Sequence, residues 1–81
     1  MDLNNKSYHK ESYSLGDGTY LSERQVEVLN QLAQGLSNKQ IAHVLGVAEP
    51  TIKMHVSSLL RAFKVQNRVQ ILLKAKEKDF V

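Results

Sequence analysis

Apolar residues in the second half of the chain return every three to four positions. From Glu49 to Phe63, the stretch EPTIKMHVSSLLRAF puts Ile52, Val56, Leu59, Leu60 and Phe63 on one side of a helical projection, the stripe that a buried helix face requires. Met54 breaks the pattern. At about 100° per residue it projects almost opposite that stripe, together with Ser57, Ser58 and Arg61, while Lys53 and His55 flank this outward face.

Three further helices are predicted around this one. SERQ at 22–25 is a capping box, in which Ser22 and Gln25 reciprocally satisfy backbone donors, and it opens a helix with Val26, Leu29, Leu32 and Ala33 inward that stops at Gly35. SNKQ at 37–40 repeats the device and starts a short helix with Ile41, Ala42 and Leu45 inward, closed by Gly46. Pro50 fits the first turn of the next helix, whose amides lack intrahelical acceptors. NRVQ at 67–70 is an Asn-led box and opens a last helix running to about Lys78. The expected class is all-α, with a domain over residues 21–81. The polar, aperiodic residues 1–20 read as a flexible linker or tail, from which Tyr8, Tyr13 and Tyr20 are candidates to dock on the domain.

Only GVA, residues 46–48, joins the second and third helices, with Gly46 free to turn and Val47 as an apolar plug. This is a helix-turn-helix signature: its second helix stands out as a ridge, and small groups edged by cations suit the DNA major groove. The Met54 thioether can lie against a thymine methyl or a base edge, and Ser57 can donate or accept there. Lys53 and His55, on the flanks, face the phosphate walls in this reading.

The last helix has apolar residues over more arc than one contact needs. Val69, Leu72 and Leu73 fall to one side, Ile71 and Ala75 to another. Two apolar faces imply two neighbours, here the core and a symmetry mate, with Val69, Leu73 and Lys76 as the outer set.

Composition narrows the partners. With 81 residues there is room for one core, and a net charge of +3 is weak evidence for an anionic partner until its distribution is considered. Residues 37–68 hold Lys39, Lys53, Arg61, Lys64 and Arg68 against Glu49 alone. There is no cysteine, so disulfides and thiolate metal sites are excluded, and His9, His43 and His55 lack the paired spacing of a metal site. No membrane span or signal peptide is evident, and the expected location is cytoplasmic. The chain shows no nucleophile–base pair, glycine-rich phosphate loop or clustered carboxylates, so neither enzyme activity nor a cofactor is expected.

In order and spacing, LSERQVEVL, GLSNKQIAHVLGV, TIKMHV and VQNRVQ resemble the LuxR-type (FixJ- or NarL-type) DNA-binding domain of bacterial transcription regulators. The resemblance covers residues 21 to about 80. It implies a four-helix fold whose third helix enters the major groove of double-stranded DNA and whose fourth pairs two subunits on inverted or direct half-sites. It places Lys53, Met54 and Ser57 at base-reading positions and Ser37, Asn38, Lys39 and Thr51 near phosphates. His55, Arg61 and Lys64 are further candidates for the DNA backbone, and RNA polymerase is a further candidate partner.

Three departures stand out. Gln25 replaces the usual Glu of the first box, Ala48 replaces a serine N-cap, and AFK at 62–64 replaces the family's KLG. The function implied is sequence-specific DNA binding in transcription regulation, as the C-terminal effector domain of a response regulator or other multidomain regulator. A stand-alone small regulator is the alternative. A sigma-factor promoter-reading region is a further one, against which NRVQILLKAKEKDF adds a helix that such a region does not normally have.

Overall fold

The computed structural model describes residues 13–81. Four helices follow in order: α1 (Glu23–Ala33), α2 (Asn38–Leu45), α3 (Glu49–Phe63) and α4 (Arg68–Glu77). Helix α3 is the hub, packing on each of the other three. Val28, Leu29 and Leu32 of α1, Ile41 of α2, Ile52, Leu59 and Phe63 of α3, and Ile71 and Ala75 of α4 meet in one core.

The starts of the helices follow the sequence closely. Both Ser-x-x-Gln boxes close in both directions, Ser22 with Gln25 and Ser37 with Gln40. The third start differs. At α4, Asn67 Oδ1 accepts from the Gln70 backbone amide as expected, but the Gln70 side-chain Oε1 accepts from the Gln66 backbone amide, one residue earlier than a reciprocal box requires.

The ends share one device. Gly35, Gly46, Lys64 and Asp79 all adopt positive φ, and in each case the next residue donates to a carbonyl five positions back: Leu36 to Gln31, Val47 to Ala42, Val65 to Leu60 and Phe80 to Ala75. This hydrogen bond satisfies an otherwise orphaned carbonyl, and the apolar residue that makes it packs against the core in every case. Phe80 also meets Phe63 edge to face, with ring centroids 6.1 Å apart. Lys64, at φ 58, does this without the conformational freedom of the glycine that the family pattern places there.

Two expectations about packing are corrected. Ala33 is exposed, and Val28 takes the core position in its place. The buried face of α1 centres on Val28, Leu29 and Leu32, with Val26 partly buried at its margin against the core and Ala33 beyond its edge.

The second correction concerns the tail. Tyr13–Tyr20, assigned to a flexible lead-in, form a turn that packs on the domain. Leu15 donates to Thr19 and Leu21 to Tyr13, Ser14 pairs with Tyr20 in an isolated antiparallel bridge, and Leu15 and Leu21 are both buried in the core. The apolar payload of Leu15 outweighs the polarity of its neighbours, and Lys78 donates to its carbonyl at 3.1 Å. Tyr13 packs against the core, whereas Tyr20 is exposed. Tyr8 and the rest of the proposed tail lie outside the described residues.

Ala48 caps α3 with suitable extended backbone but no side-chain acceptor. Because Pro50 has no N–H, the Thr51 amide is the first-turn donor that a serine hydroxyl at this position would meet. Ala48→Ser should therefore stabilise the fold by about 1 kcal/mol. Thermal denaturation would register this as a rise of about 4–8 °C in Tm.

Candidate nucleic-acid interface

The turn Gly46–Val47–Ala48 folds α3 back across α2. Gly46 takes the left-handed conformation (φ 69), which its missing Cβ permits, and Val47 tucks beneath the turn. The roll of α3 is then set by its two faces. Ile52 and Leu59 are fully buried, whereas Met54, two residues beyond Ile52, is 59% exposed.

A hydrogen bond adds to this control. Gln25 uses its amide oxygen to accept from the Ser22 backbone and its amide nitrogen to donate to the Ser58 hydroxyl. One side chain thus caps α1 and grips α3. The helical projection places Ser58 on the outward face with Met54. The structure turns it partly inward, at the edge of the stripe, where this bond reaches it.

Lys53, Met54 and Ser57 share the free surface of α3, and Arg61 continues it one turn further on. Thr51 and His55 are half-buried at its margins. At the start of α2, Ser37 and Lys39 are exposed and Asn38 is half-buried. The Ser37 hydroxyl oxygen accepts from the Gln40 amide, so its own proton remains free to donate. The start of α2 and the free surface of α3 each offer donors and cations to an anion.

Lys64 lies past the far end of α3, and its ammonium sits 3.3 Å from Asp17. Hydrogen bonds from Thr19, and then from Lys64, hold the Asp17 carboxyl down to about 2. On α4, Ile71 and Ala75 face the core, while Val69 and Leu73 are 65% and 62% exposed. Lys76 is exposed beside them, and Leu72, grouped with the outer residues in the sequence, packs partly inward.

Arg68 has a role that the sequence pattern does not assign. Its guanidinium donates to Asn38 Oδ1 at 2.9 Å and to the Leu36 carbonyl, joining α4 to the start of α2. The available signal was a cation in the first turn of a helix, where the dipole disfavours it. Among the described residues no cluster of His, Asp or Glu suits a metal ion, and no helix is long and apolar enough to cross a membrane.

A family model described as bacterial regulatory proteins, luxR family, matches residues 19–75. The nitrate/nitrite response regulator protein NarP of Escherichia coli (strain K12) is 57% identical over 49 residues, which make up 60% of this chain and 23% of that protein. The glycerol metabolism activator of Pseudomonas putida is 50% identical over 60 residues, covering 74% of this chain and 27% of the relative. The chain thus spans about a quarter of the length of the curated relatives it matches. Among solved structures, the response regulator ChrA of a heme-sensing two-component system aligns with a TM-score of 0.75 at 29% identity, over 98% of this chain and 36% of that one. Four helices, the turn between α2 and α3 and these likenesses agree: the chain belongs to the luxR family of bacterial regulatory proteins, as a helix-turn-helix domain of the transcription-regulating type.

Proposed function

We propose that this domain binds specific DNA sites by laying the outer face of α3 in the major groove, as the C-terminal effector domain of a response regulator or other multidomain regulator acting in the cytoplasm. Lys53, Met54 and Ser57 meet bases. Ser37, Asn38, Lys39, Thr51, His55, Arg61 and Lys64 meet the sugar–phosphate backbone, with Lys64 exchanging Asp17 for a phosphate. The observation that carries this reading is the exposure of Met54 on a helix whose opposite face is fully buried, within a stretch that is rich in cations and holds one acid. The greater length of the relatives supports the effector-domain reading.

Affinity in this mechanism comes from phosphate neutralisation, and selectivity from a few side chains on α3. Selection of duplexes from a random pool by the purified chain tests it: enrichment of a short motif, in inverted or direct copies, is expected, and an unenriched pool would contradict sequence-specific binding. Lys53→Ala separates two roles. As a base reader it loosens preference at one base pair, whereas as a phosphate contact it weakens all sequences alike and lowers the salt slope by about one unit.

A homodimer through α4 is the second part of the proposal, with Val69, Leu73 and Lys76 at the two-fold contact. Exposed Val69 and Leu73 support it, since they lie one helical turn apart on one face. Leu73→Glu should abolish cooperative binding to paired half-sites and leave single half-site affinity within about twofold, read by gel shift on duplexes carrying one or two sites. Unchanged cooperativity would remove α4 from the interface. RNA polymerase is the partner expected of a promoter-bound regulator.

A further inference from the structure

Arg68 opens α4, where its charge faces the positive end of its own helix dipole, so its placement calls for a reason outside that helix. That reason lies at the start of α2. The guanidinium is partly buried and donates to Asn38 Oδ1 and to the Leu36 carbonyl, and no carboxylate pairs with it among the described residues.

An asparagine amide has a donor end and an acceptor end of nearly equal shape, and rotation about its last torsion exchanges them. Arginine can only donate. The Asn38 oxygen must therefore face Arg68, which turns the amide nitrogen away from the guanidinium, on a helix start whose sequence neighbours Ser37 and Lys39 are both exposed.

We infer that Arg68 is a positioning residue for DNA binding: by holding Asn38 Oδ1 it fixes the Asn38 amide nitrogen as a phosphate donor, and it ties that donor rigidly to α4. The inference rests on the DNA-binding reading above. It makes the contact a property of two helices distant in sequence, so a change in the seating of α4 moves a phosphate donor on α2.

A double-mutant cycle tests it, using the full chain and a duplex of about 20 base pairs recovered by selection with the unaltered protein. Asn38→Ala should weaken binding about tenfold in the unaltered chain and less than about twofold when Arg68→Gln is also present. Additive losses would overturn the inference, because a purely structural arginine acts whether or not Asn38 is there. Asn38→Asp provides a variant that keeps the fold. Its carboxylate still accepts from Arg68 and suits the start of a helix, so Tm should rise by about 4 °C or more while affinity falls more than tenfold. Parallel movement of stability and affinity would overturn the inference. If the unaltered chain binds no duplex, the DNA reading itself fails and takes this one with it; if it binds and the cycle is additive, only the role of Arg68 fails.

Discussion

Met54→Glu lowers affinity for selected duplex DNA by at least about 100-fold, roughly 3 kcal/mol, and leaves the fold intact. Met54 is 59% exposed, so a carboxylate there is fully hydrated in the free protein and disturbs no packing. In the complex the same carboxylate loses its water and meets the negative potential of the groove, while Lys53 and Arg61 on the same surface are engaged with the DNA. The loss therefore belongs to the bound state alone. Circular dichroism should superpose on that of the unaltered chain, with Tm within about 2 °C, since surface substitutions of this kind stay within about 0.5 kcal/mol. Met54→Ala is the milder companion: it removes the thioether without adding charge, so site preference changes while the salt slope does not. Equal loss on every sequence would contradict base contact by Met54.

Ile52→Ala has the opposite character. Ile52 is two residues away on the same helix and 0% exposed, among the core side chains that all four helices contribute. Truncating it removes buried methyl groups and leaves a cavity, at a cost of about 2–5 kcal/mol. By size, a chain of 81 residues is held together by about 4–12 kcal/mol, so the change consumes a large part of the total. Tm should fall by more than about 10 °C. Measured well below the new Tm, DNA affinity should drop only by the unfolded fraction. If Ile52→Ala left Tm unchanged while Met54→Glu unfolded the protein, the two faces of α3 would have been assigned the wrong way round.

Those two residues also show what the sequence made legible. A period of 3.6 separates Ile52 from Met54 without any tertiary knowledge, and Ser-x-x-Gln boxes with Gly35 and Gly46 mark where α1 and α2 start and stop. The face of α3 was therefore readable, apart from Ser58 at its edge, where a small rotation decides between solvent and the Gln25 amide. On α4 the pattern separated the exposed Val69 and Leu73 from the buried Ile71 and Ala75, but it grouped Leu72 with the former, whereas Leu72 packs partly inward against the core.

Local pattern failed where one side chain decided the outcome. Tyr13–Tyr20 looks like linker because its composition is polar, yet Leu15 is buried in the core, Tyr13 packs against it, and Asp17 and Lys64 pair across 47 positions of sequence. The Arg68 clamp spans 30 positions to Asn38, and no periodicity encodes a contact of that kind. Residue types with a single hydrogen-bonding sense, such as arginine, carry information that appears only once the fold brings an acceptor to them.

Amide chemical-shift titration with a selected duplex tests the assignment of the DNA-facing surface most directly. The largest changes should fall on Thr51 to Arg61 of α3 and on Ser37 to Lys39 at the start of α2, with the exposed side of α1 unmoved. Shifts concentrated on α1, with those amides silent under saturating duplex, would contradict it.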